Sequence, residues 1–232
     1  MKRILTATAF AMTLSACGST VIMDKSPQVK MQPEISVKTD GDFWGFGSEG
    51  TFDIGGKYQG KYSRSASSST WFNTFSFKDG EMGAEITRKD NGETWQLSCT
   101  GGGSAIHYMG VDFGGNDPYV CKILQDNKPV GEYRIEPKAT AIDLGFDKTE
   151  QGTIRIGNVH FNLKTIHTGD GLLMPVDMPL GYSFSRGTQE VAAVQTNGMI
   201  TLQSLPSLSK AQQDLIAVGT IASALSWRPS DE

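Results

Sequence analysis

The chain has 232 residues, 38% of them hydrophobic and 20% charged, with 27 Gly, 3 Cys and a formal charge of −4. These proportions, with a mean hydropathy of −0.28, describe one ordinary folded domain and exclude a disordered or multi-span membrane chain. The acidic balance also argues against a nucleic-acid partner, because the longest basic run is the pair Arg88-Lys89.

The first seventeen residues carry the strongest signal. Lys2 and Arg3 form a positive start, Ile4 to Leu14 is uncharged and largely apolar, and Leu14-Ser15-Ala16-Cys17 follows. The apolar run is shorter than the roughly 20 residues of a spanning helix, and small residues before the cut suit a signal peptidase. The ending resembles the lipobox of bacterial lipoproteins. That resemblance implies a signal peptide over 1–16, cleavage before Cys17 and acylation of the Cys17 thiol and amine. Cleavage would remove two positive charges, lowering the formal charge from −4 to −6. At about 0.8 kcal/mol per buried CH₂, two or three acyl chains make release from a membrane negligible. In this family Asp after the Cys retains the protein at the inner membrane. Gly18 stands there instead, which implies an outer-membrane, periplasm-facing location in a two-membrane cell.

With Cys17 assigned to lipid, Cys99 and Cys121 remain, each in a short apolar run. In an oxidising compartment they are expected to form a disulfide, worth roughly 3 kcal/mol for a loop of this size. A metal or redox pair is the alternative, but CxxC spacing and neighbouring His ligands are missing. Residues 17–42, with scattered Lys and Pro and no sustained periodicity, read as a lipidated N-terminus and flexible tether. Such a segment spans about 80 Å when extended and about 25–30 Å as a coil. The alternative there is an ordered strand around Ile35–Val37.

Residues 43–232 read as a single all-β domain. Short alternating or β-branched runs predict strands near 51–62, 69–78, 82–88, 94–99, 105–113, 119–125, 129–136, 139–146, 152–157, 159–167, 180–185, 190–195 and 199–204. Turn dipeptides at Asp79-Gly80, Asn91-Gly92, Gly157-Asn158 and Asn197-Gly198 predict an antiparallel meander of hairpins. Val159, Phe161 and Leu163 should face inward, with His160, Asn162 and Lys164 outward. The last element differs. After a cap at Ser207 or Ser209, residues 208–226 read as a helix whose stretch Leu215 to Leu225 is apolar on every side, and such a helix is buried. A closed or strongly curled barrel around it would remove exposed sheet edges. The rival is an amphiphilic tail docking on a membrane or partner.

Strands followed by one apolar C-terminal helix, with Pro179-Leu-Gly-Tyr-Ser-Phe184, Gln189-Glu-Val-Ala-Ala-Val194, Ile200-Thr-Leu202 and Ala211 to Leu225, resemble the tubby C-terminal and phospholipid-scramblase-like family. The resemblance implies a helix threaded through a β-barrel. That family binds phosphoinositide headgroups through basic residues that do not align here, so no site is carried over. The acidic balance and the disulfide depart from it.

The HExxH, GxSxG and GxxxxGK[ST] motifs are missing, and no cofactor is expected. Gly101-Gly-Gly-Ser104 reads as a hairpin loop rather than an anion cradle. Asp112 to Asp117 reads as a polar turn without EF-hand spacing. His167, Asp170 and Asp177 group one imidazole with two carboxylates and form a candidate ligand or acid–base loop, if His107 and His160 converge on it. Phe43, Trp44, Phe46, Trp71 and Phe72 either stack on a sugar or partner or plug the barrel. The function expected is a membrane-anchored, non-catalytic binding or accessory module for an envelope protein, lipid or glycan. The alternative is an envelope hydrolase acting on glycan or lipid.

Overall fold

The computed structural model describes residues 20–40, 49–64, 82–101, 106–108, 111–113, 118–137 and 149–226. Its strands are β1 (Ile35–Thr39), β2 (Glu49–Ile54), β3 (Tyr58–Ser63), β4 (Met82–Arg88), β5 (Thr94–Thr100), β6 (Ile106–Tyr108), β7 (Val111–Phe113), β8 (Tyr119–Gln125), β9 (Lys128–Pro137), β10 (Glu150–Ile156), β11 (Val159–Ile166), β12 (Gly181–Arg186), β13 (Gln189–Gln195) and β14 (Thr201–Ser204). Two helices, α1 (Pro27–Lys30) and α2 (Lys210–Ser226), complete the set. Twelve strands close a barrel in the order β1-β14-β13-β12-β11-β10-β9-β8-β5-β4-β3-β2, and β6-β7 form a separate two-stranded sheet. Every pairing is antiparallel, including the β1–β14 pair that completes the closure. Closure leaves the barrel wall without an edge strand.

The expected alternation holds on β11, where Phe161 and Leu163 are buried and His160, Asn162 and Lys164 are exposed. Gly60, Gly131 and Gly152 let the strands turn sharply, because a Cβ there would collide with the carbonyl of Glu85, Arg155 or Arg134 on the adjoining strand. Two expected strands are each divided. Residues 51–62 break at Gly55-Gly56, both at positive φ, and 105–113 gives the short pair β6 and β7. The expected strands at 69–78 and 139–146 lie outside the described residues. The β8–β9 turn uses Asp126 and Asn127, with φ of 51° and 60°, the left-handed pair that a tight hairpin requires and these two side chains tolerate.

The barrel has two unlike ends. The connections β2–β3, β4–β5, β8–β9, β10–β11 and β12–β13 are short and lie at one end, where α2 also enters. At the other, the connections after β11 (167–180) and β13 (196–200) lie side by side, since Gly181 pairs with both Ile166 and Gln195, and Gln195 with Thr201. We call these the narrow-turn end and the wide end. Helix α2 begins with a reciprocal cap, in which Gln212 N donates to Ser209 Oγ at 3.3 Å and Ser209 N donates to Gln212 Oε1 at 2.9 Å. From Asp214 to Leu225 every residue of α2 is buried. Gly219 allows the closest approach, since a Cβ there would lie 2.5 Å from the buried Phe184 ring.

The expected tether is a correction. Over 20–40 the chain folds back on the barrel, with α1 packed on β13 and β14 and β1 inserted between β14 and β2. The ordered strand around Ile35–Val37 is thus the version found, and residues 17–19 and 41–42 lie outside the described residues. The cause is β13. Val191, Ala192, Ala193 and Val194 are all buried, so both faces of this strand need cover. The helix fills the inside, and Met23 and Val29 are buried in the covering segment outside. Glutamines fasten that cover: Gln195 accepts from Met23 N and donates to Val21 O, while Gln203 donates to the carbonyls of Lys30 and Gln32.

Candidate functional site

The barrel interior offers no ligand chamber between the described residues, because α2 occupies it along with Phe161, Phe184, Tyr62 and Tyr133, each less than 2% exposed. A small molecule or polymer would therefore meet an end or the outer wall. At the wide end, side chains of the barrel and of α2 itself bond carbonyls in the last turns of α2, where intrahelical donors run out. Tyr119 Oη donates to Ala222 O at 3.0 Å, Arg64 Nη2 to Ala224 O at 2.7 Å and Ser226 Oγ to Ser223 O at 2.7 Å. Tyr133 and Tyr182 bond the hydroxyls of Ser223 and Ser226 at 3.1 and 2.6 Å. Burial holds both phenols above their ordinary range, so they remain protonated.

Glu150 sits on the same rim, and burial pushes its carboxyl up from the ordinary glutamate range. The fold therefore favours the neutral acid. That contribution is fully present below the unfolded value of about 4.3 and is lost as pH rises through the higher folded value. Glu150→Gln should accordingly raise the melting temperature at pH 7 and leave it unchanged below about pH 4, in the ordinary carboxylate range. Thermal melts of both proteins across this interval check the sign.

At the narrow-turn end lies a charged cluster that the sequence did not announce. Arg88, on the last position of β4, donates to Asp214 Oδ2 at 2.5 Å, to Glu93 Oε2 at 2.7 Å and to Asn91 Oδ1 at 3.0 Å, with Asp90 Oδ1 2.9 Å away. Tyr58 Oη donates to the other Asp214 oxygen at 2.8 Å. The Arg88 guanidinium also stands over Trp95, 6.0 Å from the ring centroid. Burial opposes the Arg88 charge, but the hydrogen bond and field of Asp214 outweigh it and hold the group above its ordinary value. Outside this cluster is an open groove of about 520 Å³ lined by Lys57, Lys89, Lys210 and Gln213 among others. Lys210 is tied to Asp90 at 2.9 Å and Lys89 to Asp53 at 2.5 Å, so both cations are already paired. A second groove of about 640 Å³ crosses the outer wall over β1–β4, where Lys61 faces Glu85 at 3.8 Å.

The residues of the expected acid–base loop do not converge. His167 is buried, and its two nitrogens are engaged by Val176 O at 2.8 Å and Thr165 Oγ1 at 3.0 Å. The imidazole therefore pins the β11–β12 connection instead of facing a carboxylate. Asp170 is exposed and pairs with Lys30 at 3.3 Å, and Asp177 is exposed on the same connection. His160 points outward from β11, and the His107 side chain lies outside what is described. His167 thus ties the end of β11 to Val176 further along the same connection. Among the described residues no group of three or more His, Cys, Asp or Glu is placed to hold a metal ion.

Cys99 and Cys121 form a disulfide between directly opposed positions of β5 and β8, both fully buried. Cys17, Phe43, Trp44, Phe46, Trp71, Phe72, Gly102 to Ser104 and Asn116-Asp117 lie outside the described residues. No helix among the described residues is long and apolar enough to cross a membrane. Comparison with protein-family models, with curated proteins and with solved structures finds no match to this chain.

Proposed function

We propose that this chain is a lipid-anchored, periplasm-facing lipoprotein of the outer membrane, whose barrel serves as a non-catalytic binding or accessory module for an envelope protein, a lipid or a glycan. The observation that carries the reading is Leu14-Ser15-Ala16-Cys17 with Gly18 after it. Cleavage before Cys17 would leave every described element intact, since these begin at Thr20. The filled interior and the paired charges favour recognition at an end or along the outer wall over turnover in a cleft.

The reading is tested in a two-membrane bacterium by feeding a clickable palmitate analogue. The wild-type chain should take up the label and sediment with the outer membrane, whereas Cys17→Ser should lose the label and keep its leader. An unlabelled wild-type chain in the soluble fraction would sink the anchor. Crosslinking in intact cells, with mass spectrometry of protein, lipid and glycan in one eluate, then separates a partner subunit from a lipid or sugar ligand. An eluate holding none of these would count against the binding module.

A further inference from the structure

Six large hydrophobic side chains stand exposed among the described residues, and five of them, Ile22, Leu173, Met174, Met178 and Met199, lie at the wide end. The most exposed of these is Leu173, at 102% of its reference area. They come from three segments far apart in sequence: the N-terminal cover, the β11–β12 connection and the β13–β14 connection. The backbone ties the three together. Asp170 N donates to Ile22 O at 2.8 Å, Met23 bridges to Gly169, and Asn197 Nδ2 donates to Val21 O at 2.9 Å. Thr20 belongs to the same group, since a Cβ on Gly198 would meet Thr20 Cγ2 at 3.0 Å.

The position of Thr20 sets the geometry. It is the third residue after Cys17, and three residues reach at most about 11 Å. The interfacial layer on each side of a bilayer is about 5–8 Å thick. A lipid-bearing Cys17 could not hold this end of the barrel far from the headgroups, as a 26-residue tether over 17–42 would have done.

We propose that the wide end docks on the bilayer that holds the Cys17 lipid, with Leu173 and Met174 entering the interface and Ile22, Met178 and Met199 beside them. This rests on the lipoprotein reading above. Unbranched Met side chains adapt to a disordered apolar medium, and apolar area inserted at the interface adds to the hold of the acyl chains. Asp170 and Asp177 share the connection with Leu173 and Met174, so contact depends on apolar insertion rather than on attraction to anionic lipid. Docked this way, the protein turns its narrow-turn end and the Arg88 groove away from the membrane, where a partner would reach them.

The test uses the full chain made in a two-membrane bacterium, purified in detergent and reconstituted in phosphatidylethanolamine/phosphatidylglycerol vesicles that carry chain-labelled doxyl lipid. Met174→Cys and Met199→Cys, both at exposed positions, receive bimane; Thr188→Cys, in the β12–β13 turn, is the reference. Quenching several-fold greater at 174 and 199 than at 188, and unchanged in high salt, is expected. Equal quenching at all three positions, with Cys17 acylated in the intact mass of the same sample, overturns the docking and leaves the anchor standing. An unacylated Cys17 overturns both. Loss of the difference in high salt would also overturn it, because it would make the contact electrostatic.

Discussion

Replacing Asp214 with Ala should destabilise the barrel by about 3 kcal/mol, at the lower end of the range for a broken buried ion pair. Asp214 takes the Arg88 guanidinium on one oxygen and the Tyr58 hydroxyl on the other, with side-chain exposures of 9% for Arg88 and 10% for Asp214. Removing the carboxylate strands one charged and one neutral donor where α2 enters the barrel. Glu93 and Asp90 stay on Arg88, which is why the loss falls short of the upper limit of about 5 kcal/mol. For a domain of this size the change lowers the melting temperature by about 6–12 °C. Asp214→Asn keeps both oxygen and shape at reduced charge and should lie between Ala and wild type. Urea unfolding at pH 7 checks both variants, and a loss under about 0.5 kcal/mol for Ala, typical of a surface site, would mean that the cluster is solvated.

Opening the Cys99–Cys121 bond is the second large effect, with an expected loss of about 3 kcal/mol from the freed chain entropy of the unfolded state. The cysteines are 22 positions apart in sequence, and their bond clamps β5 to β8 across the insertion that holds β6 and β7. Because both sulfurs are buried, Cys99→Ala with Cys121→Ala is a cleaner comparison than Ser, which would bury two unpaired hydroxyls. The double variant should unfold at lower urea and be indifferent to reductant, while the wild type should shift toward it when reduced. The two losses should add within about 0.5 kcal/mol. Asp214 is eight residues along α2 from Ala222, which Tyr119 of β8 contacts, and that is about 12 Å of helix. A marked shortfall in the sum would show that α2 and the β5–β8 clamp form one cooperative unit.

Strand periodicity is a local property, so β4, β8, β11 and the inward set Val159, Phe161 and Leu163 could be read from a few residues each. The all-round apolar stretch Leu215 to Leu225 calls for burial, and of the two environments that meet it, a docked tail or the inside of a closed wall, the structure has the second. The buried run Val191 to Val194 carried a further signal: a strand apolar on both sides needs cover outside as well as within, and this points to the ordered segment 20–40. The local signal of that segment is the opposite, because its own composition, with Lys and Pro spread through it, is that of a tether. Its order comes from Gln195, Gln203 and Glu190, more than 160 positions away.

The sequence by itself determined the all-β wall, the threaded helix and the cysteine pair, because each depends on residue type and short-range period. Tertiary structure decided the rest. It brought Arg88 to Asp214 across 126 positions, gave His167 one backbone carbonyl and one side-chain hydroxyl as partners, and gathered Ile22, Leu173 and Met199 on one rim beside Thr20. Contacts of that kind depend on how strands are ordered and where their connections meet, and no local pattern of side chains encodes the meeting point.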